Sequence, residues 1–310
     1  MKRGLALLVA CAALAPVLAA QAATGTTARL RCATYNVGNF YDRYDDPYTE
    51  DSLLEKGTQP KSARALYAVA RVLSAVNADV IALQEVENRP FLEEFNQTYL
   101  RALGYTQVIL VEGNSSHLQG RGIDVAVLSR VPVGGVTTHQ HRQFRNRKEV
   151  IGFSRDLLQV QLKPPGWPEI NLFVVHAMSK LGGTYAEHRR MAEAGEASRI
   201  LAESAGSGTG MWVIVAGDFN EKADEPSLRM YTGNPLCPLA RLPAKDKDGG
   251  VFTWYPSARG DSPYEATTFD HILASPAVVA HCPSRQAVIY NEPAARGASD
   301  HRPVYIDIRK

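Results

Sequence analysis

A chain of 310 residues with 45% hydrophobic and 21% charged residues has ordinary globular composition, which excludes a disordered or collagen-like polypeptide. A formal net charge of +2 excludes a globally basic nucleic-acid clamp, so any phosphate binding must be local. A multi-span membrane protein is excluded too, because the one sustained apolar run falls within the first 23 residues.

That run predicts a signal peptide over residues 1–22, followed by a single domain over 23–310. Lys2 and Arg3 supply a positive start, Leu5 to Ala20 an apolar stretch, and Ala20-Gln21-Ala22 a small-x-small cleavage site. The stretch is short for a stable membrane span, so the expectation is a secreted or periplasmic protein. Leu8-Val9-Ala10-Cys11 resembles a lipoprotein signal, but Cys11 comes early and the apolar run continues past it. Removing the segment leaves the mature chain without net charge and with Cys32, Cys237 and Cys282. Three thiols allow at most one bridge. Cys237 with Cys282 is the expected pair, since Cys32 lies inside an apolar strand.

In chain order, Leu30 to Tyr35 reads as a strand, and Pro60 as the opening of a helix with Leu66, Val69, Ala70, Leu73 and Val76 on one face. Val80 to Leu83 is a short buried strand. Pro90 opens a second helix, with Phe91, Phe95 and Tyr99 in register and Gly104 as its stop. Strands are predicted at Thr106 to Val111, Ile123 to Leu128, Leu157 to Leu162 and Ile170 to Val175. Thr184 with Glu187 makes a capping box for a helix to about Ala202. Met211 to Ala216, Val251 to Trp254, Thr267 to Leu273, Arg285 to Ile289 and Val304 to Ile308 complete the strands. The fold class is α+β: two packed sheets with helices outside them.

Several apolar strands end abruptly in chemically capable residues. Tyr35 runs into Asn36, Leu83 into Gln84 and Glu85, Val175 into His176, and Ala216 into Gly217-Asp218-Phe219-Asn220. Asp270 interrupts an apolar run, and Asp300-His301 precedes the last strand. Each alone has an ordinary reading as a turn residue or cap. Six at six strand ends point to one shared crevice. Carboxylates and amides suit Mg2+, with Mn2+ or Ca2+ as alternatives, and histidine beside a carboxylate accepts protons near neutral pH.

Thr34-Tyr35-Asn36-Val37, Leu83-Gln84-Glu85-Val86, Gly217-Asp218-Phe219-Asn220, Phe269-Asp270-His271-Ile272-Leu273 and Ser299-Asp300-His301-Arg302-Pro303-Val304 carry a resemblance across nearly the whole mature chain. In that order they resemble the endonuclease/exonuclease/phosphatase superfamily, the deoxyribonuclease-I-like fold. The resemblance implies a four-layer α/β sandwich of two mixed sheets flanked by helices, and metal-dependent phosphoester hydrolysis. It implies Glu85 as principal Mg2+ ligand, with Asn36 beside it and Asp300 as a further metal-site acid. It implies catalytic roles for Asp218 on the attacking water, Asn220 on phosphate orientation and His176 on the scissile phosphate, with His301 held in its tautomer by Asp270. Whether Asp218 or His301 is the base stays open. Ala177-Met178-Ser179-Lys180 after His176, His271 after Asp270 and Glu221 after Asn220 depart from the usual pattern without removing a catalytic group.

The segment from His139 to Lys148 holds Arg142, Arg145, Arg147 and Lys148, with Arg155 shortly after. It reads either as a solvated loop or as a phosphate-tracking rim. Arg121 is a second candidate for substrate phosphate. Trp254 and Tyr255 read as base-stacking residues or as part of a half-buried strand. The leading expectation is an exported, monomeric phosphodiester hydrolase acting on DNA or RNA. The alternatives are a sphingomyelinase-like enzyme on a lipid headgroup or small phosphoester, and an inactive phosphate-binding module.

Overall fold

The computed structural model describes residues 28–44, 59–113, 122–205, 210–256 and 265–310. The signal peptide expected over residues 1–22 and Arg121 lie outside the described residues. The first part of the chain forms β1 (Arg29–Phe40), α1 (Ala63–Val76), β2 (Val80–Val86), α2 (Arg89–Tyr99), β3 (Gln107–Leu110) and β4 (Asp124–Ser129). Next come β5 (Val133–Thr137), β6 (Phe144–Asn146), β7 (Glu149–Ile151), β8 (Leu158–Leu162), β9 (Ile170–His176), α3 (Gly183–Ala205) and β10 (Trp212–Asp218). The chain closes with α4 (Pro226–Thr232), β11 (Ala240–Arg241), β12 (Ala244–Lys245), β13 (Asp270–Ala274), α5 (Pro276–Ala280), β14 (Ala287–Ile289), α6 (Pro293–Arg296) and β15 (Val304–Arg309).

Among the described residues, the strands build two large mixed sheets, in the orders β12-β14-β15-β1-β2-β4-β3 and β11-β13-β10-β9-β8-β5. Side-chain alternation then sorts the apolar residues into three layers of core. Leu30 and Cys32 of β1, Val80 and Ala82 of β2, Leu172 and Val174 of β9, and Ile214 and Ala216 of β10 meet between the sheets. Ala33, Tyr35, Ile81 and Leu83, on the opposite parity, pack beneath α1 and α2. Phe173, Val175, Val213 and Val215 do the same beneath α3 and α4. The result is the expected four-layer sandwich.

Several local readings need correction. Ser62, not Pro60, opens α1: its hydroxyl accepts from the Ala65 N–H. The Thr184/Glu187 pair falls inside α3, because a 3₁₀ turn over Lys180–Gly182, capped by Ser179, leads into the helix at Gly183. Val251 to Trp254 is not a strand. Trp254 makes isolated bridges to Thr267 and His301, which leaves β13 to begin at Asp270. The expected Cys237–Cys282 bridge is absent. All three described cysteines are free and buried, with Cys237 in the core under α3 and Cys282 between the sheets. Within the basic segment, β6 and β7 pair as a hairpin that alternation could not reveal, each strand being three residues long.

Candidate active site

The two sheets share a strand sense that brings chemistry to one end. β1 runs parallel to β2, and β9 parallel to β10, so all four finish at the same edge of the sandwich. β13 and β15 run antiparallel to these partners and begin there, with Asp270 opposite Asp218 and Val304 opposite Thr34. Parity decides direction. Asn36, His176, Asp218 and Asp270 continue the even-numbered positions that face the inter-sheet core, so their side chains leave that core into one cleft.

Glu85 has the wrong parity and reaches the cleft by other means. It adopts φ 64°, and the pairing of β2 with β4 shifts between Gln84 and Val86. Such a bulge re-aims a side chain. Gln84, still on the inter-sheet parity, is buried against the Thr34 hydroxyl. The Asn39 N–H donates to Glu85 Oε2 at 2.6 Å. Asn36 Nδ2 donates to Glu85 Oε1 at 3.4 Å and to Asp218 Oδ2 at 3.0 Å, while its Oδ1 accepts from the Gly38 N–H.

Asp218 sits at the centre. His176 Nε2 lies 3.9 Å from both Glu85 Oε1 and Asp218 Oδ2, and His301 Nε2 lies 3.7 Å from the same Asp218 oxygen. His301 Nδ1 and Asp270 Oδ2 are hydrogen-bonded at 2.8 Å. Burial pushes the Asp218 carboxyl up to about 7, opposed by His301 and reinforced by Asp270. Burial works against charge on His301, yet Asp270 and Asp218 together push its imidazole up to about 10. The trio can therefore hold a proton on His301 and exchange it with a group placed between Nε2 and Asp218.

Close packing fixes these strand ends. A Cβ on Gly217 would lie 1.9 Å from the Val175 carbonyl oxygen, so β9 and β10 approach as they do only because position 217 is glycine. Asn220, at φ 48°, donates its own N–H to the Asp218 carboxylate and its Nδ2 to the Ala177 carbonyl at 3.0 Å. Its side-chain amide thus ties the loops after β9 and β10 together. The buried Arg190–Glu221 ion pair, with Arg190 Nη1 on the Met178 carbonyl, secures those loops to α3.

The structure brings together Asn36, Glu85, His176, Asp218, Asn220, Asp270 and His301. Asp300 adjoins them at one side, its carboxylate accepting from Trp254 Nε1 at 3.0 Å. Trp254 is thereby committed to Asp300 and to a ring contact with Phe269. Arg155 lines a small pocket with His176 and Arg190. Sequence reasoning missed two supporting hydroxyls. Ser299 Oγ donates to the Asn36 carbonyl and accepts from the His301 N–H, and Thr253 Oγ1 accepts from the N–H groups of Phe269 and Asp270. Ser299 stood inside a quoted motif, whereas nothing local distinguishes Thr253.

The donor set includes hard oxygens from Glu85, Asn36, Asp218 and Asp300, the chemistry that Mg2+ takes. Asp218, Asp270 and His301 present ligand atoms within 4.8 Å of one another. Asp270 is already bonded to an imidazole that favours its protonated form, so Glu85 and Asp300 fit a cation better than His301 does.

Comparison with known proteins agrees with this architecture. An endonuclease/exonuclease/phosphatase from Beutenbergia cavernae superposes with a TM-score of 0.59 at 20% identity, covering 91% of this chain and 71% of that one. Truncated TDP2 from Caenorhabditis elegans gives 0.57 at 17% identity, covering 91% and 98%. A doubly substituted beta toxin from Staphylococcus aureus, with bound magnesium ions, gives 0.62 at 14%, covering 91% and 100%. No curated protein matches at the level of sequence. The model described as "Endonuclease/Exonuclease/phosphatase family" matches residues 33–301, and the chain belongs to that family of phosphoester hydrolases.

Proposed function

We propose that the protein is an exported, divalent-metal-dependent phosphodiester hydrolase acting on DNA or RNA. The observation that carries this reading is the convergence on Asp218 Oδ2 of Asn36 Nδ2 at 3.0 Å, His301 Nε2 at 3.7 Å and His176 Nε2 at 3.9 Å, with Glu85 alongside. Glu85, Asn36 and Asp300 would hold the cation. When bound, it polarises a phosphoryl oxygen and favours departure of the leaving group. The beta toxin neighbour, which carries bound magnesium, supports that ion as the first to test.

The chain's own groups divide the remaining work. Asp218 orients and deprotonates the attacking water, its raised pKa matching a base that works near neutral pH. His176 faces the phosphoryl oxygens and stabilises their charge as it develops. Asp270 fixes the His301 tautomer, leaving Nε2 to handle a proton. Asn220 holds the Asp218 loop against Ala177, which positions Asp218 for the phosphate. Arg155, beside His176, and Arg121 are phosphate contacts in this reading. Residues 1–22, read as a signal peptide, support export from the cytoplasm in this reading.

A substrate panel with and without EDTA tests the reading: plasmid DNA, single-stranded RNA, sphingomyelin and an aryl phosphodiester. EDTA-sensitive cleavage of the nucleic acids is expected. Absence of metal-dependent hydrolysis on every substrate would refute it. A second reading, hydrolysis of a lipid phosphoester, draws on Val150 in the hairpin and Leu181 before α3, apolar residues 61% and 77% exposed. Preferential turnover of sphingomyelin would favour that alternative.

A further inference from the structure

Beside Asp300 a groove of about 720 Å3 opens between the loop at Gly38–Asn39 and the segment Ser299–Arg302. Lys61, Arg296 and Arg302 line it, with Tyr255, against the single carboxylate of Asp300. Three other sparsely exposed arginines pair with acids: Arg31 with Asp307, Arg189 with Glu193 and Arg190 with Glu221. Arg302 does not. Arg302 is only 4% exposed, yet its partners are neutral. Nε donates to Asn291 Oδ1, Nη1 donates to the carbonyls of Ser299 and His301, and the guanidinium stacks 4.5 Å above the Tyr255 ring. Lys61 Nζ donates to the carbonyls of Val37 and Gly38. Among the described residues, neither these two nor Arg296 has a carboxylate within ion-pair distance. Asp300 cannot neutralise all three, and one of its oxygens already accepts from Trp254 Nε1.

Burying a guanidinium without a countercharge is unfavourable unless a ligand supplies one. Three cations approaching from separate elements suit a tetrahedral anion with several acceptor oxygens. One wall of the groove, Asn39, holds Glu85 through its N–H, and the other carries Asp300, so the groove adjoins the reacting position. We propose that this groove is a subsite for a second phosphate group of the substrate, bound by Lys61, Arg296 and Arg302 beside the phosphate being cleaved. The inference rests on the phosphodiesterase reading and narrows it. A polynucleotide offers a neighbouring phosphate at every scissile bond, whereas a lipid headgroup diester offers none.

Two measurements test it. In the first, pyrophosphate is titrated calorimetrically in EDTA into the full chain and into Arg296→Ala and Lys61→Met, with circular dichroism to confirm that each is folded, since Lys61→Met also loses the bonds to the Val37 and Gly38 carbonyls of β1. Binding to the unmodified chain and roughly tenfold weaker binding to each variant are expected. In the second, kcat/KM is compared for a dinucleotide with and without a terminal phosphate, and the preference for the phosphorylated form should fall toward unity in both variants. Pyrophosphate binding that is absent, or indifferent to Lys61 and Arg296, would overturn the subsite. So would an unaltered preference between the two dinucleotides. Failure to hydrolyse either dinucleotide or any substrate of the panel, with variant-sensitive pyrophosphate binding intact, would instead remove the phosphodiesterase reading and leave the anion site standing.

Discussion

Asp270 is fully buried. One of its oxygens binds His301 Nδ1, while Oδ1 has no hydrogen-bond partner among the described residues. A buried carboxylate so sparsely satisfied leans on the imidazole it faces, whose Nδ1 it holds and whose protonated form it favours. Asp270 and His301 should therefore act as one unit. Asp270→Asn and His301→Ala should each lower kcat by roughly two orders of magnitude, and the double variant should be little worse than His301→Ala. A double-mutant cycle on kcat at saturating metal measures this, and fully multiplicative losses would separate the two residues. Glu85 is a different case. Its oxygens accept from Asn36 and Asn39, and Glu85→Gln keeps its shape while removing the charge proposed to hold a cation. Turnover should fall at least about a hundredfold in a folded protein, and near-normal activity would exclude Glu85 as a ligand.

Within β13, neighbouring positions serve opposite faces, so Asp270 enters the cleft while His271 turns toward the helix side. There His271 Nε2 donates to the Glu221 carbonyl at 2.8 Å and its ring meets Phe219. Burial pushes this imidazole down to about 4, against the Glu221 hydrogen bond. An unfolded histidine takes its proton near 6.5, so the folded state resists protonation between those values. Stability is full above about 6.5 and declines as pH falls toward about 4, by about 3 kcal/mol from this group. His271→Gln retains a donor for Glu221 and removes the titration, so its denaturant midpoint should vary less across that window. An equally steep dependence in the variant would clear His271. The same alternation explains what was legible in the sequence. Asn36, His176, Asp218 and Asp270 could be placed at one end because they extend inward-facing parities of apolar strands. Glu85 could not be aimed that way, since a bulge, not parity, turns it inward. Thr253 was hidden for a related reason: it supports Asp270 from a segment that is not a strand at all. The Cys237–Cys282 expectation, reached by setting Cys32 aside as a strand residue, failed because the two thiols belong to different layers of the core.

At the scale of the whole molecule, the near-zero net charge of the chain conceals an uneven surface. The hairpin of β6 and β7 divides the basic segment by partner. Arg142 is committed to Glu196 and Glu203, and Arg147 meets His188, so these two join the hairpin region to α3. Arg145 and Lys148 are exposed, with no acidic partner among the described residues. The phosphate-tracking expectation thus contracts from four side chains to two. Exposed cations of this kind attract a polyanion by releasing its counterions, an effect that falls with salt and carries no information about chemistry. Replacing Arg145 and Lys148 with glutamine should raise the apparent KM for polymeric DNA or RNA and flatten its dependence on salt, with kcat largely preserved. The same double substitution should leave KM for an aryl phosphodiester almost unmoved, because that substrate is too small to span the cleft and the hairpin. Replacing Arg142 instead should chiefly lower thermal stability, since it would strand the buried Glu196 carboxylate beside Arg199 alone. Salt titrations of KM on both substrates make the comparison. An unchanged salt slope on the polymer would return Arg145 and Lys148 to the role of a solvated turn, and substrate attraction would then have to come from the cations around Asp300.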